Sequence, residues 1–339
     1  MRRPTVNDVA AEAGVSGKSV SRVVNGSPNI SPELRRRVEA AVEKLGYVPN
    51  ALARNLRIGV GDAVGVVIDA IADPFFASVT STVETAALDA GLTTVIASTG
   101  FDPEREHRQV QRMAMQQVRA LILAPVPRSH DYLRRYATGR PVVMIDRAVE
   151  VDGYDTVRVD DRATARAAVG HLLRAGHRRI AFVGYDPAFA TLRDRLSGYR
   201  EALAGQTDAP TDAELHTPTP ETDADAVRLL TDLLAVGDPP TAVFAANTRA
   251  GSRMAYALHA TGRAGLAFVS FGDFPLSQAL RPPVTCVDHD ARAIGRAAMA
   301  CVLDRLGGDP GPPRDVLVEA ALGPRGSGEI EATGTRVRT

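Results

Sequence analysis

The sequence of 339 residues lacks tryptophan, contains only two cysteines and has no long hydrophobic run. Cys286 and Cys301 cannot supply a disulfide framework, and they give no paired spacing for metal ligands. The longest stretch without Asp, Glu, Lys or Arg has twelve residues (90–101), whereas a transmembrane helix needs about 20 apolar residues. The N-terminal residues lead into polar sequence without the apolar core of a signal peptide. We therefore expect a soluble, cytoplasmic protein without disulfides, bound metal or other cofactor.

Charge is distributed unevenly along the chain, although its 40 basic and 40 acidic side chains cancel overall. Residues 1–58 contain ten basic and five acidic side chains, a net charge of +5, and the rest of the chain carries −5. A small basic module followed by a larger, mildly acidic body is typical of a nucleic-acid-binding head on a regulatory body. Judged by charge alone, a solvated helical surface without such a partner is an equal alternative.

Three short helices are predicted in the basic segment. Thr5 and Asp8 have the spacing of a capping box, and apolar residues follow at helical intervals until Gly14. Ser16 is a good N-cap for a second helix, with its valines facing inward. Pro32 stands at the first position of a third helix. Two short helices joined by a glycine turn and braced by a third form a helix-turn-helix module.

This segment resembles the DNA-binding head of the lactose and galactose repressor (LacI/GalR) family over residues 5–56. The resemblance is carried by Asp8-Val9-Ala10, Ala13-Gly14-Val15-Ser16, Ser19-Val20-Ser21-Arg22-Val23-Val24-Asn25 and Leu45-Gly46-Tyr47-Val48-Pro49-Asn50. It implies that the second helix lies in the major groove of double-stranded DNA at a palindromic operator. It also implies a set of DNA contacts in the head: Thr5, Ser16, Gly17, Lys18, Ser21, Arg22 and Asn25.

Two of these residues have the chemistry to read bases directly. By resemblance, Lys18 and Arg22 occupy base-reading positions together with Gly17, which has no side chain to contribute. Arginine can form two hydrogen bonds with a guanine edge, and lysine can donate to the same acceptors. The run Arg35–Arg37 is interpreted instead as a solvated face with incidental phosphate contacts.

Residues 49–58 are identified by resemblance as the family's hinge helix, with Asn50, Ala53 and Leu56 as further DNA contacts. The segment Asn50–Arg57 has eight residues, whereas isolated helices below about 12 residues are marginal in water. We therefore expect a hinge that is disordered alone and helical when two copies pack together on DNA. Leu56 matches the family's wedge residue, which enters the minor groove and kinks the duplex. The alternative role for Leu56 is that of an ordinary core leucine.

After residue 59, short apolar runs alternate with helical patterns, as is typical of parallel sheets covered by helices. The predicted strands are Val64–Ile68, Thr93–Ala97, Ala120–Ala124, Val142–Ile145, Ile180–Val183, Ala242–Ala245 and Leu266–Phe271. The predicted helices are Phe75–Ala90, Glu104–Gln117, Ser129–Ala137, Ala163–Ala175, Leu192–Ala204, Thr222–Ala235 and Arg249–Thr261. One doubly wound sheet uses only half of these elements. The pattern therefore predicts an α/β body with two doubly wound parallel-sheet lobes behind the all-α head.

The resemblance to the LacI/GalR family continues through this body. It is carried by Asp73-Pro74-Phe75-Phe76, Ile145-Asp146-Arg147, His171–Ala181, Arg195-Leu196-x-Gly198-Tyr199-Arg200 and Ala245-Ala246-Asn247. It implies a body like a periplasmic sugar-binding protein, in which the chain crosses between the lobes near residues 160, 289 and 314. The expected domains are a head (1–48), a hinge (49–58), an N-terminal lobe (59–159 and 290–313), a C-terminal lobe (160–289 and 314–323) and a disordered tail (324–339).

Ligands of open α/β sheets bind at the carboxyl ends of the strands. Correspondence with the family puts an effector there, a small polar metabolite such as a sugar or sugar acid, with these contacts: Phe75, Phe76, Arg147, Arg195, Asn247, Asp273 and His289. In this chain Gly272 stands where many members carry a carboxylate, and Thr248 stands where aspartate is common. With fewer acceptors and two arginines, the site slightly favours an acidic sugar or another anion.

The expected function is that of a transcriptional regulator, a repressor, whose operator affinity changes when a metabolite binds. The glycine-rich, charged tail has no leucine heptads, so we expect a homodimer rather than a tetramer. Two alternatives are a free solute-binding protein with the same body fold and a sugar-modifying α/β enzyme. The basic head argues against the first, and the lack of a catalytic motif argues against the second. We expect no catalytic residue and no membrane partner.

Overall fold

The computed structural model describes residues 4–24, 27, 30–47, 61–126, 129–136, 139–147, 153–204 and 215–332. The chain divides into two compact units, Met1–Gly61 and Asp62–Thr339. The first unit contains the basic head, and the second contains the α/β body. Within the described ranges, no helix combines the length and apolar character needed to cross a bilayer.

The head has three helices in the predicted order: α1 (Val6–Ala13), α2 (Gly17–Val24) and α3 (Pro32–Leu45). The predicted capping box is present, because the Thr5 hydroxyl accepts from the Asp8 N–H at 3.3 Å and the Asp8 carboxylate accepts from the Thr5 N–H at 2.7 Å. Gly14 ends α1 with φ +62°, a conformation that glycine adopts without strain. The Ser16 hydroxyl begins α2 by accepting from the Ser19 N–H at 3.1 Å.

Arg37 on α3 braces the turn between the first two helices. Its guanidinium donates to the carbonyl oxygens of Ala13 at 2.6 Å and Gly14 at 3.2 Å. Carbonyls at a helix C-terminus have no intrahelical partner, so a cation there both satisfies them and interacts favourably with the helix dipole. Arg37 therefore has a structural contact that the predicted solvated face does not include. The core below it consists of Val9, Ala10, Ala13, Val20, Val23, Val38, Ala41 and Tyr47.

The body contains two sheets with helices packed on them, which confirms the predicted fold class. The first sheet consists of β1 (Ala63–Ile68), β2 (Thr93–Ser98), β3 (Ala120–Leu123), β4 (Val142–Ile145), β5 (Asp155–Arg158) and β11 (Asp315–Leu317). All its strands are parallel, in the order β11-β5-β4-β3-β1-β2. Its helices are α4 (Pro74–Asp89), α5 (Pro103–Met115), α6 (Leu133–Tyr136) and α11 (Ala291–Leu306).

The second sheet has the same design, with one reversed strand at its edge. It consists of β6 (Ile180–Val183), β7 (His216–Thr217), β8 (Ala242–Ala245), β9 (Ala267–Phe271), β10 (Thr285–Asp288) and β12 (Ala321–Gly323). The order is β12-β10-β9-β8-β6-β7, and β12 is antiparallel to β10. Its helices are α7 (Asp161–Arg174), α8 (Ala190–Ala204), α9 (Asp223–Leu234) and α10 (Thr248–Ala260).

The chain passes from one lobe to the other three times. The crossings lie at 159–160, between β5 and α7; at 289–290, between β10 and α11; and at 318–320, between β11 and β12. The predicted third crossing near 314 is therefore wrong. Asp315–Leu317 pairs with β5, so β11 belongs to the N-terminal lobe, and only the following residues enter the C-terminal lobe.

The predicted disordered tail is ordered as far as residue 332. The Ser327 hydroxyl donates to the Phe268 carbonyl at 2.5 Å and accepts from the Thr285 N–H at 2.9 Å. The Glu329 carboxylate accepts from the Thr285 hydroxyl at 2.9 Å. The polar residues of this segment therefore satisfy groups of the second sheet, a role that composition alone does not reveal. Residues 333–339 lie outside the described part of the chain.

Candidate DNA-binding and effector sites

One side of α2 presents the predicted base-reading residues. Val20 and Val23 are buried in the head core, whereas Lys18 and Arg22 are exposed. Lys18 and Arg22 are four residues apart, so they project from the same face of the helix. The other predicted contacts in the described head, Thr5, Ser16, Gly17 and Ser21, are exposed or half-buried. The remaining predicted contacts lie outside the described residues: Asn25, Asn50, Ala53 and Leu56.

The two lobes enclose a cavity of about 620 Å³ at the carboxyl ends of their strands. Six of the seven predicted effector residues line it: Phe75, Phe76, Arg147, Arg195, Asn247 and His289. This is the position expected for a ligand of open α/β sheets. A cavity of this size falls within the range of small-molecule binding sites, roughly 300–1,000 Å³.

Arg147 is held by carboxylates in the N-terminal lobe. Its Nη1 lies 3.2 Å from Asp69 Oδ1 and donates to the Pro125 carbonyl at 3.0 Å, and its Nη2 pairs with Asp69 Oδ2. Its Nε lies 3.4 Å from Asp146 Oδ2. Burial opposes the charge of the guanidinium, but Asp69 and Asp146 outweigh it and raise the pKa of Arg147. The positive charge is therefore matched within the protein.

Arg195 has an equivalent arrangement in the C-terminal lobe. Its Nε donates to Asp161 Oδ1 at 2.7 Å, and its Nη1 donates to the Ala246 carbonyl at 2.7 Å. The guanidinium carbon lies 3.7 Å from the centre of the Phe271 ring, which is cation–π distance. Burial raises the pKa of Asp161 to about 7, although the Arg195 charge opposes that rise. Arg195 is thus both a cavity wall and part of the lobe's structure.

Asn247 and His289 reach the cavity from the second sheet. Asn247 is the N-cap of α10, where its Oδ1 accepts from the Ala250 N–H at 2.8 Å and its Nδ2 donates to the Thr219 hydroxyl at 3.0 Å. The His289 ring stacks on Phe75 with centroids 4.4 Å apart. Burial and the Arg195 charge lower the pKa of His289 to about 4, so the imidazole is neutral near pH 7.

Asp273 does not line the cavity, so its predicted role as an effector contact is wrong. Its carboxylate accepts from the Phe274 N–H at 2.8 Å and the Ser277 hydroxyl at 2.5 Å, and it pairs with Arg325 at 2.8 Å. Burial raises the pKa of Asp273, but the bonds from Arg325 and Ser277 outweigh burial and lower it. The partner, Arg325, comes from the segment that was predicted to be disordered. The sequence gives no local sign of that partner, so Asp273 was interpreted as a ligand contact.

Several residues that line the cavity were missed by the sequence analysis. Most of them follow strands that the sequence predicted, and this position is the signal that could have found them, but Pro218, Thr219 and Glu221 follow β7, which the sequence did not predict. The missed residues are Asp69, Asp73, Gly100, Phe101, Asp146, Tyr185, Asp186, Pro187, Phe189, Thr191, Leu192, Pro218, Thr219, Glu221, Thr248 and Arg249.

The cavity carries more carboxylates than cations. Five carboxylates line it, from Asp69, Asp73, Asp146, Asp186 and Glu221. Three guanidinium groups line it, from Arg147, Arg195 and Arg249. Arg147 pairs with Asp69 and also contacts Asp146, and Arg195 pairs with Asp161, which does not line the cavity. The remaining carboxylates, from Asp73, Asp186 and Glu221, outnumber the remaining guanidinium of Arg249, so the wall that a ligand meets is acidic rather than basic.

Family profiles match both parts of the chain. The profile described as bacterial regulatory proteins, lacI family, matches residues 5–50, and the profile described as periplasmic binding protein-like domain matches residues 169–328. The HTH-type transcriptional regulator CelR of Thermobifida fusca is 33% identical over 345 residues, which cover 96% of this chain and 99% of CelR. The HTH-type transcriptional regulator GalR of Salmonella typhimurium is 30% identical over 312 residues, 91% of each chain.

Solved structures show the same architecture. The transcriptional regulator CelR–cellobiose complex aligns with a TM-score of 0.68 and 31% identity, covering 96% of this chain and all of that one. The lac repressor dimer bound to operator and the anti-inducer ONPF shares the fold with a TM-score of 0.83, 24% identity, and coverage of 96% and 99%. A helix-turn-helix head followed by a two-lobed binding body defines a class of DNA-binding transcriptional regulators. The chain belongs to the LacI family of that class.

Proposed function

We propose that this regulator acts as a homodimeric repressor in the cytoplasm, where a neutral sugar bound between its lobes changes its affinity for a palindromic operator. The observation that carries the proposal is the pairing, in one LacI-family chain, of an exposed Lys18–Arg22 face with a polar, aromatic-lined cavity. The site is a binding site, and we assign no catalytic role to its residues.

The DNA side of the proposal depends on α2. Arg22 would donate two hydrogen bonds to a guanine, and Lys18 would donate to acceptors in the same groove. We propose Thr5, Ser16, Gly17, Ser21 and Asn25 as further contacts of the head, and Asn50, Ala53 and Leu56 as contacts of the hinge. Each monomer supplies one head, so a two-fold symmetric dimer matches a palindromic site.

The effector side depends on the charge of the cavity. An anionic ligand would face an excess of carboxylates, and Arg147 and Arg195 are already paired with Asp69 and Asp161. A neutral sugar avoids that repulsion, because its hydroxyl groups can donate to carboxylates and accept from arginine. Phe75 offers an apolar face for a sugar ring. The relative CelR has been solved as a complex with cellobiose, which supports a sugar of that class here.

A binding titration tests the proposal. Duplexes from the DNA upstream of the gene for this chain are titrated with the purified protein by fluorescence anisotropy, first alone and then with cellobiose, galactose or gluconate. We expect a salt-sensitive preference for one palindrome and a shift in its affinity with a neutral sugar but not with gluconate. Arg22→Ala should abolish the preference, whereas Arg36→Ala, an exposed arginine on α3, should retain it.

The outcomes separate the alternatives. Sugar binding without any preference for a palindrome over random duplex would contradict the proposal and favour a solute-binding protein. Conversion of the sugar, followed by chromatography, would indicate an enzyme. A response to gluconate alone would overturn the neutral-sugar assignment while leaving the DNA-binding role intact.

A further inference from the structure

Four side chains form a continuous stack across the cleft, and we call this set the clasp: Arg147, Phe189, Phe101 and Arg249. The Arg147 guanidinium lies 4.8 Å from the centre of the Phe189 ring. Phe189 and Phe101 meet edge to face, with centroids 5.7 Å apart and planes at 86°. The Arg249 guanidinium lies 4.9 Å from the centre of the Phe101 ring. These distances are those of favourable cation–π and aromatic contacts.

The members of the clasp alternate between the lobes. Arg147 follows β4 and Phe101 follows β2, both in the N-terminal lobe. Phe189 precedes α8 and Arg249 lies in the first turn of α10, both in the C-terminal lobe. Every contact in the stack therefore joins one lobe to the other. Aromatic contacts that only filled a core would stay within one lobe, as Tyr185 and His216 do at 5.1 Å.

The two phenylalanines of the clasp lie toward the side of the cleft away from the chain crossings, whereas Arg147 follows β4, next to the crossing strand β5. The crossings involve β5, β11, β10 and β12, which occupy one edge of each sheet. Phe101 follows β2 at the opposite edge of the first sheet, and Phe189 follows β6, next to the opposite edge of the second. A hinge motion about the crossings separates the far edges most. The contact between Phe101 and Phe189 therefore opposes opening more strongly than a contact near the crossings would.

The members in the N-terminal lobe are held in position before they meet their partners. Arg147 is fixed by Asp69 and Asp146, as described above. Phe101 adopts φ +65°, and its N–H donates to the Thr99 hydroxyl at 3.2 Å. Groups held in place lose little conformational freedom when a contact forms, so more of the contact energy favours closure.

We propose that the clasp sets the equilibrium between open and closed cleft, and through it the affinity for every effector by a common factor. This inference rests on the proposed function, in which the effector binds between the lobes. Apparent affinity scales with the fraction of protein in the binding-competent state. Weakening the clasp therefore reduces the affinity for different sugars equally, whereas loss of a direct sugar contact changes each affinity differently.

The test begins without any sugar. Spin labels are attached at Arg108→Cys on α5 and Asp232→Cys on α9, exposed positions on opposite lobes, in full-length protein mixed with excess unlabelled chain. Cys286 and Cys301 are buried and should remain unlabelled. We expect Phe101→Leu and Phe189→Leu to lengthen and broaden the interlobe distance distribution. The double variant should lengthen the distance further than either single one but by less than the sum of the two, because both changes remove the Phe101–Phe189 contact and each also removes its own arginine contact.

Calorimetric titration with cellobiose and galactose completes the test. Each clasp variant should weaken the binding of all the sugars that bind to the unchanged protein. The factor should be the same for each sugar, on the order of 10-fold. His216→Leu, which removes an aromatic pair within one lobe at a position that does not line the cavity, should leave the interlobe distances unchanged. Unchanged distances in the clasp variants would overturn the proposal. If the distances change but none of the sugars binds, the assigned effector class fails and the clasp stands.

Discussion

Arg195 is a residue at which structure and ligand binding compete for one side chain. Its guanidinium neutralises Asp161, caps the Ala246 carbonyl and stacks on Phe271, all with almost no exposure to solvent. Removing one partner of a buried ion pair leaves an uncompensated charge. Any effect of an Arg195 variant on the effector response must therefore be separated from its effect on folding.

We predict that Arg195→Met lowers the free energy of unfolding at pH 8 by about 3–5 kcal/mol. The pKa of Asp161 is raised to about 7, above its unfolded value, so stability from this group is lost as pH rises through 7. The loss in Arg195→Met should therefore be smaller at pH 5.5, where Asp161 is protonated. Urea denaturation at both pH values measures the difference. The double variant with Asp161→Asn should lose the pH dependence, and an equal loss for Arg195→Met at both values would contradict the prediction.

His289 makes a second pH-dependent contribution to stability, which is lost as pH falls rather than as it rises. Burial lowers its pKa to about 4 from an ordinary value of 6.5, so the unfolded chain binds the proton first as pH falls. We predict that His289 lowers the free energy of unfolding as pH falls from 6.5 to about 4, by up to about 1.4 kcal/mol per pH unit. Replacing it as His289→Asn should flatten the pH profile of urea denaturation. The same change at the exposed His259 is the control, and an unaltered slope in His289→Asn would refute this.

The glycine at position 272, where many family members carry a carboxylate, has a local structural explanation. Gly272 adopts φ +101°, and a Cβ there would lie 2.2 Å from Thr248 Oγ1 and 3.0 Å from His289 Cε1. An aspartate at 272 is therefore incompatible with Thr248 in its present position. The two positions that depart from the family pattern are therefore neighbours, and Thr248 occupies the space that a side chain at position 272 would need.

At the scale of secondary-structure elements, the head depends on how α3 holds the α1–α2 turn. We predict that Arg37→Ala speeds hydrogen exchange of the turn amides of Gly14 and Val15 by about 5-fold, the effect of losing roughly 1 kcal/mol of hydrogen bonding. Mass spectrometry of the full chain measures it. Arg36→Ala, an exposed neighbour on α3, should leave the exchange unchanged. Equal exchange in the two variants would show that Arg37 does not brace the turn.

The sequence predicted most strands that have a continuous apolar run, but it predicted none of β5, β7, β10, β11 and β12 and also missed the amphipathic helix α11. The apolar strand β4 agrees with its prediction residue for residue. In contrast, β5 begins with Asp155, which pairs with Arg305 at 2.8 Å and so brings a buried carboxylate into a strand. A strand whose polar residues are satisfied by distant partners has no local signature, because the partner is far away in sequence.

At the scale of the whole molecule, the hinge should couple the head to the body. Leu56 lies outside the described residues, and its role as a minor-groove wedge is a prediction from the family resemblance. We predict that Leu56→Ala weakens binding to the specific operator by a few kcal/mol, on the order of 100-fold, but leaves binding to random duplex almost unchanged. Anisotropy titrations on the two duplexes test this, and an equal loss on both would sink the assignment.

Regulation by an effector also makes a prediction for the entire protein. If a sugar changes operator affinity by some factor, operator DNA must change sugar affinity by the same factor, because the two binding equilibria are linked. Calorimetric titration of the sugar into free protein and into the operator complex measures the second factor. A sugar affinity that is the same in free protein and in the operator complex would mean that sugar binding and operator binding are not coupled in this protein.

The sequence by itself determined the head and the alternation of strands and helices. It also assigned seven side chains to the cavity, and six of them line it. Caps, apolar periodicity and strand ends are local features, so they can be recognised without knowing what packs against them. Only the tertiary structure decided which charges are already matched. The pairing of Arg195 with Asp161, of Arg147 with Asp69, and of Asp273 with Arg325 depends on residues that meet only after folding. Arg147 and Arg195 are matched by such pairs, Asp273 is withdrawn from the cavity, and the unpredicted carboxylates of Asp73, Asp186 and Glu221 give the cavity wall its acidic character.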